Sequence, residues 1–162
     1  MNREKILEGA KEFFFEGMLA RYFGHRDGKK ITKIESSDGC NDIVFRDGDF
    51  KVVDRFYITP DSDFSAGTTT IFFENKPVWW MAYGGCYPAE AIAFLKMALK
   101  ENYERGTFLG GRGPKLVEEE NFVYRNEVRM SDFKIFNGRE SIVDLEAEKE
   151  LGFHEYFGMA LI

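Results

Sequence analysis

Four side chains that can exchange protons lie in strand-like segments of the sequence. Asp54 alternates with apolar residues, Glu140 follows a glycine at position 138, and His154 lies beside a carboxylate. A histidine next to carboxylates can act as a general base, and an acid on an apolar face has a raised pKa. Together with Tyr83, these residues suggest a small hydrolase or isomerase. Each one also has a structural interpretation, as a satisfied buried polar group or as an exposed strand residue.

Known catalytic and metal-binding motifs are missing from the sequence. It contains no Gly-x-Ser-x-Gly and no serine in a nucleophile-elbow context. The two histidines, His25 and His154, are far apart, and Cys40 and Cys86 have neither metal-ligand spacing nor a disulfide pattern. We therefore predict no metal and no cofactor, leave the catalytic residues unassigned, and favour a protein that is not an enzyme.

Aromatic and polar side chains supply the candidate ligand contacts. Trp79 and Trp80 are adjacent in a strand and face opposite ways, so one can pack under a helix while the other lines a groove or a partner interface. Arg112 lies in a glycine-rich loop over 106–120, where its planar fork could bind an anion. A plain surface arginine is the alternative. The candidate ligand-binding residues are Asp54, Tyr57, Trp79, Trp80, Tyr83, Arg112, Glu140, His154 and Tyr156.

Composition limits the classes of partner. The 162 residues carry a net charge of −6, which argues against general nucleic-acid binding because that requires a basic surface. No apolar run approaches the roughly 18 residues of a membrane span, and no signal peptide is recognisable. We predict a cytoplasmic protein that does not enter membranes, whose partner is an unidentified small molecule or protein. The sequence is also compatible with a homodimer.

Hydrophobic periodicity predicts two helices and a series of strands. The helices span 2–23 and run from Pro88 to 105. Asp47-Gly48 and Asn137-Gly138 are typical of tight turns. The predicted strands span 31–35, 42–46, 49–58, 67–74, 78–83, 121–130, 132–136, 140–145 and 152–161.

Two segments of the chain look like copies of one unit. Phe50 and Phe56 find counterparts at Phe122 and Val128, and Phe64 finds one at Phe136. We predict a single α+β domain over 1–162 with an internal pseudo-repeat, about 42–85 and 118–160. The two β-meander units would form a twisted antiparallel sheet, or a half-barrel, with the two main helices packed on it. A chance match between two amphipathic strand sets is the alternative.

Several short motifs resemble an uncharacterised prokaryotic domain family, found alone or fused to helix-turn-helix regulators. They are Asp54-x-x-Tyr57, Phe64-x-x-Gly67, Pro77-Val-Trp79-x-Met81-x-Tyr83-x-Gly85, Arg112-Gly113-Pro114, Tyr124, Asp132-Phe133-x-x-Phe136-x-Gly138-x-Glu140-x-Ile142 and Tyr156-x-Gly158. The resemblance covers about 1–162 and implies an architecture and a regulatory context, but no reaction. The chain departs from the family pattern at Ala82, where an Asn is expected, and at Thr69, where a Glu is expected.

These observations favour a binding or regulatory module that senses a small ligand or a partner. Its aromatic-lined cleft would lie between strand 78–83, loop 106–116 and the final strands. The alternatives are a small hydrolase or isomerase that uses an Asp or Glu with His154 or Tyr83, and a structural protein that forms oligomers.

Overall fold

The computed structural model describes residues 2–24, 31–36 and 38–162. The predicted polar loop at 24–30, with His25, lies outside the described residues except for Gly24. The described chain forms the predicted α+β fold of two long helices and an antiparallel sheet. The elements are α1 (Arg3–Phe23), β1 (Ile31–Glu35), β2 (Cys40–Asp47), β3 (Phe50–Ile58), β4 (Phe64–Phe73), β5 (Lys76–Cys86), α2 (Ala89–Arg105), β6 (Leu116–Glu118), β7 (Phe122–Asp132), β8 (Ile135–Asp144) and β9 (Lys149–Ala160).

The described residues form one open sheet of nine strands in the order β1-β2-β3-β4-β5-β9-β8-β7-β6. Strands β5 and β9 meet at the centre, and every neighbouring pair is antiparallel. Both helices cover one face, which we call the helix face; the other is the open face. Within the described residues, no helix is long and apolar enough to cross a membrane.

Local signals in the sequence explain both helices. Asn2 caps α1, because its side-chain oxygen accepts a hydrogen bond of 2.9 Å from the backbone N–H of Lys5. The helix buries an apolar stripe that includes Phe14 and Met18. Pro88 precedes α2, and Gly106 ends it with a φ of 64°. These boundaries agree with the sequence prediction within two residues.

The core on the helix face is built around Trp79, which is fully buried. Its indole stacks on Phe133 at 5.1 Å and on Phe136 at 5.2 Å between ring centroids, and Phe14 of α1 covers it. The indole N–H donates to the carbonyl of Phe133 at 2.9 Å. Its neighbour Trp80 lies half-buried on the open face. One tryptophan therefore packs under a helix and the other does not.

The sequence prediction was wrong at Asn137-Gly138. Residues 132–136 and 140–145 do not form two strands around a turn there, because β8 runs unbroken through both positions. The turn instead lies between β7 and β8, at 133–134. Gly138 is needed within the strand because the ring and hydroxyl of Tyr156 lie where a side chain would project. The short strand β6 was also missed, since it falls in the predicted loop.

The proposed equivalence of Phe64 and Phe136 was wrong as well. Phe64 is 64% exposed at the end of β4, whereas Phe136 is fully buried beneath Trp79. Since side chains alternate between the faces of a strand, a shift of one residue moves a side chain from one face to the other.

Candidate functional site

The helix face carries a cluster of polar side chains under its covering elements. Asp54, Asn126, Glu140 and His154 are each less than 8% exposed. They lie on β3, β7, β8 and β9, where alternation turns them inward with the apolar residues. A buried polar group needs a partner, so the contacts of each one show what it does.

Asp54 is held by three partners. Its carboxylate accepts hydrogen bonds from the hydroxyls of Thr69 at 2.8 Å and Tyr83 at 3.1 Å. Arg21 of α1 forms an ion pair with it at 2.8 Å. The sequence analysis did not single out Arg21, which lies three residues after Met18 on the apolar stripe of α1. Arg55 lies on the other face of the strand and pairs with Asp42 at 2.7 Å.

Glu140 anchors a second group of contacts. Its carboxylate is fully buried, forms an ion pair with Arg112, and accepts a hydrogen bond of 2.6 Å from the hydroxyl of Tyr124. His154 Nδ1 lies 3.3 Å from the same carboxylate. Burial alone raises the pKa of Glu140, but the charge of Arg112 and the bonds from His154 and Arg112 lower it to about 2. Glu140 is therefore a buried anion and not a proton donor.

Arg112 reaches Glu140 because the loop 106–115 is folded into the core. Asn102 of α2 donates to the carbonyl of Thr107 at 2.9 Å, and Asn126 of β7 donates to that of Gly113 at 2.8 Å. The hydroxyl of Tyr103 donates to the carbonyl of Gly111 at 3.1 Å. Arg112 is thus 2% exposed, and the alternative of a surface arginine does not apply. The loop itself fills the cleft that we expected between it and the central strands.

Two tyrosines meet at the centre of the sheet, where Tyr83 of β5 pairs directly with Tyr156 of β9. Each ring lies over a glycine of the next strand, Tyr83 over Gly67 and Tyr156 over Gly138. The hydroxyl of Tyr156 donates to the side chain of Asn126 at 2.6 Å, as Tyr83 does to Asp54. Both glycines leave the room that these hydroxyls need.

His154 connects the buried cluster to a serine that the sequence did not single out. Its Nε2 lies 3.3 Å from the hydroxyl oxygen of Ser65. The rings of Tyr87 and Tyr83 flank it at 4.9 and 5.7 Å between centroids. Burial is the main reason why its pKa lies below the usual value, and the charge of Arg112 acts in the same direction. No motif marks Ser65; only the register of the sheet brings it to His154.

The open face holds the remaining candidates and the central groove. Tyr57 is 48% exposed, and Trp80 packs edge-on against Phe157 at 6.1 Å. A groove of about 500 Å³ crosses β5, β9, β8 and β7. Its lining residues are Ala82, Tyr83, Gly84, Arg129, Asn137, Glu155, Tyr156 and Phe157.

The structure thus divides the nine predicted site residues into three groups. Asp54, Tyr83, Arg112, Glu140, His154 and Tyr156 converge in or beside the buried cluster. Trp79 lies in the apolar core, while Tyr57 and Trp80 lie on the open face. The described residues contain no group of three or more His, Cys, Asp or Glu side chains that could hold a metal ion.

The buried cluster predicts that acid destabilises the protein in two stages. Both His154 and Glu140 have a lower pKa in the folded chain than in the unfolded chain, so the unfolded chain binds more protons as the pH falls. Stability should fall below about pH 6.5, the usual pKa of histidine, and again between about pH 4.5 and 2. The second stage corresponds to about 3 kcal/mol, from a pKa lowered from 4.5 to about 2.

Urea denaturation at a series of pH values measures both stages. His154→Gln should flatten the first stage. A first stage that survives unchanged in folded His154→Gln would contradict the prediction.

Comparison with known proteins gives a family but no activity. A family model described as Domain of unknown function (DUF5680) matches residues 58–158, from the last residue of β3 almost to the end of β9. This agrees with the resemblance to an uncharacterised domain family. No curated protein and no solved structure matches the chain.

Proposed function

Because this chain belongs to the DUF5680 family, whose description names no activity, we propose its function from geometry: it is a binding module that holds a small ligand in the central groove. The groove is the observation that supports this proposal. Its volume of about 500 Å³ falls within the range of small-molecule sites. It lies at the middle of the sheet, on the face that the helices leave uncovered.

Small residues form the floor of the groove. Ala82 and Gly84 lie on the open face of β5, where any larger side chain would fill the space. Phe157, 39% exposed, stands at one side next to Trp80. The sequence resemblance leads us to expect an Asn where this chain has Ala82, so we propose that this floor is a place where relatives differ in the ligand they select.

Charged and polar groups define the chemistry of the ligand. Arg129 and Glu155 form an ion pair at 3.3 Å, with side chains 57% and 49% exposed. Such an exposed pair contributes little stability, so it can exchange partners readily. The Oδ1 atom of Asn137 has no hydrogen-bond partner among the described residues. A small aromatic zwitterion fits this set, with its ring on Phe157 and its charges on Arg129 and Glu155.

The buried cluster acts in this proposal as a scaffold. The backbones of Tyr83 and Tyr156 form part of the groove, and their side chains, on the opposite face of the sheet, are fixed by Asp54 and Asn126. A rigid support improves binding because less freedom is lost when the ligand binds. A sensing role also suits the regulator context that the sequence resemblance implies.

A single domain with an internal repeat remains our proposal for the organisation of the chain. Two register shifts support it, between Ile71 and Phe72 on β4 and between Ile142 and Val143 on β8. The paired tyrosines Tyr83 and Tyr156 would then mark a pseudo-twofold axis. The central groove lies on this axis.

Filling the floor of the groove tests the proposal. Ala82→Phe should weaken the binding of aromatic amino acids at least about tenfold, equivalent to about 1.4 kcal/mol. Phenylethylamine and phenylpropionate, each with one charge, should bind more weakly than phenylalanine. Isothermal titration calorimetry measures all three.

Val53→Phe is the matched control, because Val53 lies half-buried on the open face of β3, outside the groove. It should bind these probes as the parent chain does. Absence of binding to the parent chain, or an equal loss in both variants, would reject the proposed ligand class. A shift to dimers at high concentration, lost in Ala82→Phe, would assign the groove to a second copy of the chain instead.

A further inference from the structure

We propose that Ser65, His154 and Glu140 form a nucleophilic site that transfers acyl groups from small esters to water. Nothing in the family description or in the groove proposal assigns this site, and it lies on the opposite face of the sheet from the groove. Its three members come from β4, β9 and β8.

One row of paired residues across the sheet creates the site. Ser65 pairs with Gly85, Gly85 with His154, and His154 with Glu140. Because Gly85 has no side chain, nothing stands between its two neighbours in the row. His154 Nε2 lies 3.3 Å from Ser65 Oγ, and Nδ1 lies 3.3 Å from the carboxylate of Glu140. A nucleophile, a base and a group that orients the base thus follow one another within hydrogen-bonding reach.

The charges in the cluster assign a role to each nitrogen of His154. Nδ1 lies beside both the carboxylate of Glu140, which Arg112 keeps ionised, and the guanidinium of Arg112, which can only donate. We assign the proton to Nδ1, because it then faces the negatively charged carboxylate. The Nε2 lone pair then faces the hydroxyl of Ser65 and can accept its proton. Arg112 also lies 3.4 Å from Nδ1, and its charge, like burial, lowers the pKa of His154. The imidazole is therefore neutral, and available as a base, at neutral pH.

The other half of the chain indicates that the fold does not require these polar residues. The register places an equivalent row in the other half of the sheet. In that row, Glu140, His154 and Ser65 are replaced by Thr69, Met81 and Phe136, and Gly85 is replaced by Gly158. Met81 and Phe136 fill the core there. Apart from Thr69, which bonds to Asp54, that row is apolar packing, while the other contains a base and a hydroxyl. This difference between the two rows indicates a catalytic role for Ser65 and His154 and not only a structural one.

Access and surroundings define the substrate class. Ser65 is half-buried, whereas Glu140 and His154 lie behind it at 0% and 7% exposure. Ile58, the residue of β3 that pairs with Ser65, is 53% exposed on the same face and offers an apolar surface beside the Ser65 hydroxyl. An ester with a short acyl chain suits this arrangement, because the acyl group can rest on Ile58 while its carbonyl meets Ser65.

The reaction balances without any further reagent. Ser65 Oγ attacks the carbonyl carbon as its proton passes to His154 Nε2. The bond between that carbon and the alcohol oxygen breaks, and the alcohol leaves with the proton. Water, deprotonated by His154, then attacks the acyl-serine ester, and the carboxylic acid leaves as Ser65 regains its proton. Glu140 orients the imidazole throughout.

Labelling with a fluorophosphonate tests the site, because this probe forms a covalent bond with activated serines. The full chain should gain one label, which peptide mass spectrometry places on Ser65. p-Nitrophenyl butyrate should release a burst of one p-nitrophenol per chain. Ser65→Ala should abolish both signals. Ser131→Ala, which changes an exposed serine of the equivalent row, should leave them unchanged.

The role of His154 has its own readout. His154→Gln should slow labelling by about 100-fold or more, the contribution of a general base. Labelling of the parent chain should rise with pH along a single titration. Circular dichroism confirms that each variant is folded. No label on Ser65 in the folded parent chain, or equal labelling of folded His154→Gln, would overturn the proposal.

Discussion

Replacing Arg112 with methionine should lower the free energy of unfolding by about 3–5 kcal/mol, because it leaves the buried carboxylate of Glu140 without its countercharge. Methionine approximates the length of the arginine stem, so lost packing contributes little. Hydrogen bonds from Tyr124 and His154 remain, but neither carries the positive charge of Arg112. Urea denaturation at neutral pH measures the change.

Two further variants isolate the cause. Arg129→Met removes an arginine whose side chain is 57% exposed and should change stability by no more than about 1 kcal/mol. Adding Glu140→Leu to Arg112→Met should recover much of the loss, since an apolar pair often replaces a buried ion pair at little cost. A single variant that loses less than about 1 kcal/mol would mean that Glu140 becomes protonated or reaches water.

Burial of Arg112 could not be read from the sequence, and the reason is physical. Gly110, Gly111 and Gly113 let the loop approach the sheet closely, since Tyr156, Phe14 and Tyr124 lie where their side chains would project. Of the two residues that hold the loop, Asn102 looks like an ordinary polar residue of a helix, and nothing in the sequence pairs Asn126 with the loop. Only the folded chain shows that their amides satisfy the carbonyls of the loop.

Local sequence patterns predicted the helices and strands far better than the contacts between them. The two helices and most strands follow from neighbouring residues, and these were identified. The prediction of a turn at Asn137-Gly138 was wrong because the packing of Tyr156 over Gly138, a long-range contact, outweighs the local turn preference. Ser65 and His154 are 89 residues apart in the chain, so only the pairing of β4 with β5 and of β5 with β9 makes them neighbours.

Asp54 is an intermediate case, because its position could be predicted from the sequence but not all of its partners could. Its place on an inward face followed from strand alternation, and the need for a partner followed from the energetics of burial. Tyr83 was named with Asp54 among the proton-exchanging side chains of the sequence. Arg21 was not, because a charged residue near the end of a helix is usually exposed. Here its guanidinium lies 4.5 Å from the ring centroid of Tyr22, which shields the ion pair from water.

The two adjacent tryptophans give the second large prediction. Trp79→Ala should lower the free energy of unfolding by about 3–5 kcal/mol, because it leaves a cavity under α1 and removes the contacts with Phe133 and Phe136. Trp80→Ala should lower it by no more than about 1.5 kcal/mol, because Trp80 is half-buried and its ring contact is with Phe157. Far-UV circular dichroism follows both unfolding transitions without relying on tryptophan fluorescence.

This pair also separates support of the fold from contact with a ligand. Trp80 stands beside Phe157 at the groove, so Trp80→Ala should weaken the binding of aromatic amino acids while the chain stays folded. Trp79 points away from the groove, so the fraction of Trp79→Ala that remains folded should bind with nearly the parent affinity. Equal losses of stability in the two variants would place both rings in one core. Since alternation along β5 turns them to opposite faces, that result would contradict the architecture itself.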